Sequence, residues 1–213
     1  MVKEFIKSIT PSCLLRYYYK VKKFKYLTLG RGFTPGETSK AKPRRLREGF
    51  FEKYCAGKGL DIGFGGDPVV QTCQCFDWEH GDAQDLGGIP GNTYDFIYSS
   101  HTLEHVADPA AVLQIWWGKL KKNGYLILYV PDRDLYEKKK SLPSRWNPSH
   151  KNYFVIKNHE PPDTLGLVSL IQENLPESAV IYAKQCAEGH TITDPLIHSD
   201  GEFSIEIVVL KKS

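Results

Sequence analysis

The sequence predicts an α/β protein built on a largely parallel sheet, and three observations carry this. Strand-like and helix-like segments alternate along most of the chain, as they do when helices cross over between parallel strands. Two short runs, YDFIYSS (94–100) and YLILYVP (125–131), are apolar without alternation, the pattern of strands covered on both faces. A third strand-like run, GLDIG, leads directly into a cluster of glycines. In open α/β sheets ligands bind beyond the carboxyl ends of the strands.

In chain order, residues 4–27 mix apolar, aromatic and basic side chains and are broken by Pro11. The stretch GRGFTPGETSKAKPRR that follows has linker composition. RLREGFFEKYCAGKG reads as a short helix stopped by glycine. GLDIG and TCQCFD read as the first two strands, and 94–100 as the third. The segment 108–124 has helical periodicity, with Asp108 and Pro109 in its first turn and Gly124 as its stop. Strand 125–131 precedes a polar, irregular region, 132–165. TLGLVSLIQENL (164–175) reads as a helix, and AVIYAKQC (179–186) and FSIEIVVLKK (203–212) as the closing strands. The organisation expected is a basic arm and linker over 1–50, then one catalytic-size domain over 51–213.

The charge is uneven. Residues 1–50 carry a net charge of +10 and residues 51–213 a net of −7. Such an arm suits a membrane surface, a phosphorylated substrate, a nucleic acid or the protein's own acidic body. The five cysteines are odd in number and irregularly spaced, so buried thiols are expected rather than a disulfide framework. No apolar run reaches the ~18 residues that span a bilayer, and the N-terminus lacks a signal-type apolar core. A cytoplasmic protein is expected, with the arm able to rest on the inner face of a membrane.

The glycines of GLDIGFGGDP (59–68) permit a tight turn with no Cβ in a ligand's way. GLDIGFGGDP, FDWEHGDAQDL, YDFIYSSHTLEHVADP and LKKNGYLILYVP follow one another in order. Together they resemble the class I S-adenosylmethionine-dependent methyltransferases, over about residues 50–135. The later stretch PDRDLYEKKKSLPSRWNPSHKNYF resembles bacterial members associated with surface-polysaccharide gene sets. The resemblance implies a Rossmann-like, mostly parallel sheet with an antiparallel last strand, and S-adenosyl-L-methionine as cofactor. It also implies roles for individual residues. Gly63 and Gly65 would flank the methionine part, with Asp61 beneath the turn. Asp77 would hold the ribose hydroxyls. Asp82 and the Ala83 backbone would read the adenine edge. Ser99, Ser100 and His101 would end a strand beside the sulfonium. Trp78 would either stack on the adenine or simply pack. A nicotinamide nucleotide site is the alternative for the glycines, but it lacks the helix entry and third glycine in register. One departure from the pattern matters. Asp61, Asp77 and Asp82 follow too closely for full crossover helices, so the first of these must be shortened.

Methyl transfer to a hydroxyl needs a proton acceptor, and histidine is the simplest at neutral pH. His150, in the long connection after strand 125–131, is the first candidate, followed by His101 and then His190 or His198 between the last two strands. In HTLEH (101–105), two imidazoles and a carboxylate would share one helix face and could bind a divalent cation. With no further ligand assigned from the sequence, Glu104 and His105 are expected to bond backbone groups at a helix start. The reading is a methyltransferase acting on a sugar, glycan or other small hydroxyl acceptor. Nucleic acid is disfavoured, because the body is acidic and shows no recognition module. An RNA or protein methyltransferase, or a catalytically inactive cofactor-binding scaffold, is the alternative.

Overall fold

The computed structural model describes residues 36–212, so expectations placed on residues 1–35 lie outside the described residues. Six strands form the main sheet: β1 (Gly59–Ile62), β2 (Gln74–Phe76), β3 (Tyr94–Ser100), β4 (Leu120–Pro131), β7 (Ser178–Cys186) and β8 (Ser204–Lys211). Their order across the sheet is β2-β1-β3-β4-β8-β7. β2, β1, β3 and β4 run parallel, and β8 runs antiparallel between β4 and β7. A separate parallel pair joins β5 (Tyr153–Val155) to β6 (Thr164–Gly166). The mostly parallel sheet with an antiparallel last strand is therefore as the sequence predicts. So is the trimmed start: only turns connect β1 to β2 and β2 to β3.

Among the described residues four α-helices pack on the sheet: α1 (Glu37–Arg47), α2 (Phe50–Tyr54), α3 (Pro109–Lys119) and α4 (Leu167–Asn174). α3 starts as its sequence dictates. Pro109 opens the helix and the Asp108 carboxylate accepts the Ala111 N–H at 3.1 Å. It ends earlier than Gly124, because the Gly118 and Lys119 carbonyls are taken by the N–H groups of Asn92 and Thr93. The chain then enters β4 at Leu120. The expected helix 164–175 begins only at Leu167, since Thr164–Gly166 pair with β5.

The larger correction concerns α1. Residues 36–45, given linker composition by the sequence reading, lie in one compact unit with the rest of the described chain. Ala41 is fully buried, and so are the side chains of Arg44 and Arg45. The sheet is thus covered twice. On one face Leu60, Ile97, Leu126 and Ile207 pack with Leu113 and Trp116 of α3 and Ile171 of α4. On the other, Phe96, Tyr98, Ile127 and Tyr129 pack with Ala41 of α1 and Phe50 of α2. The alternation along β3 and β4 serves both cores at once, which is why these strands are apolar throughout. Cys55, Cys73 and Cys186 are buried free thiols, as expected, and Cys75 is a half-buried one.

Candidate active site

β1 ends at Ile62 and the chain turns through Gly63, Gly65 and Gly66, with φ of +72°, +57° and +91°. These positive angles strain any residue with a Cβ. The three glycines do not serve the same purpose. A Cβ on Gly63 would strike the Thr102 hydroxyl, so packing within the protein requires that glycine. A Cβ on Gly65 would meet only the Gly63 carbonyl, at 3.9 Å, and one on Gly66 nothing within 4 Å. Above the second half of the turn there is open space that a ligand can approach closely.

Asp61 lies beneath this turn and is fully buried. One carboxylate oxygen accepts the Val69 N–H at 2.7 Å, while the other, Oδ1, has no partner among the described residues. A buried acceptor without a donor costs free energy. Burial pushes the Asp61 carboxyl up to about 7. The sign follows directly. Asp61 favours folding most below its unfolded value, and that contribution is lost as pH rises through about 7. Asp61→Asn is therefore expected to gain about 2 kcal/mol relative to the native chain between pH 5 and pH 8. Urea unfolding midpoints across that range would read this. A pH-independent difference would overturn the assignment of an ionisable, buried Asp61.

Beyond β2, Asp77 accepts the Gly65 N–H at 3.1 Å and the Trp78 N–H at 2.8 Å. The residue at this strand tip thus ties the second strand to the glycine turn. Trp78 is exposed beside it. The His80 ring packs at 6.0 Å from Phe76 and its Nδ1 accepts the Asp77 N–H. The Asp82 carboxylate is exposed and accepts the Gln84 N–H. The Ala83 carbonyl is bound by the indole N–H of Trp116 at 2.7 Å, which fixes this loop on the core.

At the end of β3, the Ser99 hydroxyl donates to the Ile62 carbonyl at 3.1 Å. Ser100 is buried beside it. The Thr102 hydroxyl reaches the same Ile62 carbonyl at 3.4 Å. These bonds hold the HTLEH segment against the glycine turn. The segment is not the start of a helix: Leu103–His105 make one 3-10 turn, and α3 begins only at Pro109. The expectation that Glu104 caps backbone groups fails as well. Glu104 is fully buried and neither carboxylate oxygen has a hydrogen-bond partner among the described residues. Instead three imidazole nitrogens surround its Oε1: His101 Nδ1 at 3.7 Å, His105 Nε2 at 3.8 Å and His150 Nε2 at 3.9 Å. Burial, reinforced by Glu137, pushes the Glu104 carboxyl up to about 8. Burial, with His150 and Lys40 nearby, holds His101 well below its ordinary value.

His150 reaches this cluster because its loop is bound to it. The N–H groups of Lys151 and Asn152 both donate to the Glu104 carbonyl, and the Asn152 side chain donates to the Val106 carbonyl. The His150 ring is buried, with Nδ1 at 2.9 Å from Glu137 Oε1. His101 also bonds Ser204 through Nε2. His198 stands at the edge of the same group, in ring contact with Tyr136, Trp146 and Phe203. Tyr136 in turn touches His150, and Phe203 touches His101. His190 is apart from these rings, held by the Asp200 carbonyl and carboxylate.

Two participants escape a sequence reading. Glu137 sits in the charged run DLYEKKK, where nothing marks one acid as buried, yet it anchors His150 and accepts the Ser144 hydroxyl at 2.6 Å. Ser149, through its hydroxyl and carbonyl, holds His105 Nδ1 at 3.0 and 3.3 Å.

The mostly parallel sheet with its antiparallel last strand, and the open glycine turn after β1, are the arrangement that the resemblance to class I S-adenosylmethionine-dependent methyltransferases implies. Residues 40–161 match the family described as methyltransferase domain, and the chain belongs to it. Among solved structures, a SAM-dependent methyltransferase from Archaeoglobus fulgidus superposes with a TM-score of 0.51 at 17% identity, over 91% of this chain and 100% of that one. Another, a possible histamine N-methyltransferase from Thermotoga maritima, gives 0.47 at 17% identity, over 92% and 97%. No curated protein matches the chain. No helix among the described residues is long and apolar enough to cross a membrane.

Proposed function

We propose that the protein O-methylates a sugar, glycan or other small hydroxyl acceptor. The observation that carries this reading is that Thr102, between His101 and the buried Glu104 group, bonds the Ile62 carbonyl beside the glycine turn, which brings a group of histidines and carboxylates near that turn. S-Adenosylmethionine supplies an electrophilic methyl group on a sulfonium. Gly65 and Gly66 give its methionine part room, Asp61 Oδ1 accepts from its ammonium, and Asp77 turns to its ribose diol. Asp82, Ala83 and Trp78 border the adenine side, and Ser99, Ser100 and His101 border the sulfonium. The histidine group, with His150 foremost and His101 next, receives the acceptor's hydroxyl proton as the new O–C bond forms and the S–C bond breaks. The electron pair of the S–C bond stays on sulfur.

Aromatic side chains beside the cluster favour a ring-bearing acceptor, since Tyr136, Trp146, His198 and Phe203 adjoin one another there. The basic segment 1–35 is suited to a phosphate-linked acceptor or a membrane surface. The sequence likeness of residues 131–154 to polysaccharide-associated members supports the same class. Labelled methyl transfer to a panel of free, nucleotide-linked and lipid-linked sugars tests this directly. With an accepted substrate, His150→Ala is expected to lower turnover by on the order of a hundredfold while S-adenosylmethionine affinity stays within a few-fold. Normal turnover in that variant would move the proton acceptor to His101 or His198. Transfer to RNA or protein but to no sugar would overturn the acceptor class.

A further inference from the structure

We propose that Glu104, His105 and His150 form a binding site for one divalent transition-metal cation, of the class of Zn²⁺ or Mn²⁺. The three residues each offer a ligand atom, and these atoms all lie within 4.8 Å of one another. The Nε2 atoms of His105 and His150 stand 3.8 and 3.9 Å from Glu104 Oε1. A single ion with bonds of about 2.1 Å holds its ligand atoms about 3 to 3.4 Å apart, so the group would close around it by on the order of an ångström through side-chain rotation.

The arrangement around the two rings is the stronger argument. A metal-bound histidine ordinarily gives its other ring N–H to a carboxylate or a carbonyl, which fixes the tautomer and the ring's direction. Both rings are held in this way. His150 Nδ1 faces the Glu137 carboxylate at 2.9 Å, and His105 Nδ1 faces the Ser149 carbonyl at 3.3 Å. An N–H donated from each Nδ1 leaves each Nε2 with a lone pair, and both lone-pair atoms converge on Glu104. Glu104 itself is fully buried with two unpartnered oxygens, a costly state that a cation would relieve. Two imidazoles with one carboxylate suit borderline divalent ions and leave coordination positions open. His105 is half-buried, so the site is not sealed from solvent. His101 Nδ1, 3.7 Å from the same Glu104 oxygen, flanks the site.

The catalytic consequence rests on the proposed O-methylation. An ion here would bind the acceptor's hydroxyl oxygen in an open position and make its proton easier to lose; with His150 Nε2 held by the ion, that proton would pass to His101, the next candidate, and His150 would act as a ligand. The binding itself is tested without acceptor or cofactor. The full chain, stripped with chelator and dialysed, is titrated calorimetrically with Zn²⁺ and with Mn²⁺. One equivalent of at least one ion should bind, with a Kd in the micromolar range or tighter. Glu104→Gln and His105→Ala should each weaken it at least a hundredfold, and Glu137→Gln about tenfold. His159→Ala, outside the cluster, should bind as the native chain does. His105→Ala alters a partly exposed side chain, so circular dichroism should show an intact fold and keep the test valid. No stoichiometric binding of either ion, or native-like binding by both Glu104→Gln and His105→Ala, overturns the metal site. If His150→Ala still lowers turnover in that event, with cofactor affinity kept, the acceptor-side reading survives and only the metal falls.

Discussion

Gly65→Val is expected to fold and to lose at least a hundredfold in S-adenosylmethionine affinity. That loss corresponds to about 2.7 kcal/mol of binding free energy. The structural cost is separable from the binding cost. Gly65 has φ +57°, so a β-branched residue there carries backbone strain on the order of 1–3 kcal/mol. Its Cβ meets no side chain, and its nearest neighbour is the Gly63 carbonyl at 3.9 Å. A fall in Tm of several degrees is therefore expected, without collapse. The valine would nonetheless stand in the open space above the turn. Gly65→Ala, with the same strain and less bulk, should fall between the two in affinity. Gly63→Val cannot serve as this probe, because it would clash with Thr102 and damage the fold itself. Calorimetric titration of cofactor into folded Gly65→Val decides the matter. Near-native affinity there would mean that no ligand crosses the turn.

The half of the site that is legible in the sequence is the half built from local rules. Gly63, Gly65 and Gly66 follow a strand, and a glycine cluster at a strand end has few structural uses. Asp108 with Pro109 announces α3 because capping is a matter of adjacent residues. The spacing from Asp61 to Asp77 leaves no room for a helix, and none forms. What could not be read depends on partners distant in sequence. His150 and HTLEH are each visible, but their meeting is fixed by a loop bonded to the Glu104 carbonyl. Glu137 is one acid in a charged run until the fold buries it. α1 misleads for a related reason. Its inward face includes Thr38, Ala41 and Arg45, which follow helical spacing, yet only Ala41 of the three is apolar. Pro43 and the cluster of basic residues complete the appearance of a linker. Apart from Glu48, 3.4 Å from Arg44, the carboxylates that neutralise those arginines come from the last strand and the loop before it, more than 150 residues away.

Those arginines carry the largest stability effect expected in the described chain. Arg44 and Arg45 meet Glu202 and Glu206 in a buried group in which each side chain is at most 2% exposed. Glu206 accepts from Arg45 Nε and from Arg44 Nη1, both at 2.7 Å. Glu202 accepts from Arg44 Nη2 at 2.9 Å and from the Tyr129 hydroxyl at 2.9 Å. Arg45 also donates to the Tyr98 hydroxyl and lies over the Tyr98 and Tyr129 rings. Two cations and two anions balance, so the group is tolerable in the core only while complete. Arg45→Ala or Glu206→Ala leaves a charge buried without its partner, and each should cost about 3–5 kcal/mol. The double variant should cost less than the two singles together, because neither charge is then stranded. Arg47→Ala breaks only the exposed pair with Glu188, which solvent screens, and should leave the unfolding midpoint close to the native one. Urea unfolding of the four variants measures all of these terms, and a Glu206→Ala midpoint equal to the native one would overturn the account. The loss should also reach the cofactor. α1 holds Asp67 through the Ser39 N–H at 2.8 Å and the Ser39 hydroxyl at 2.5 Å, and Asp67 directly follows Gly66. Loosening α1 therefore loosens the end of the glycine turn, and folded Arg45→Ala should bind S-adenosylmethionine more weakly than Arg47→Ala does.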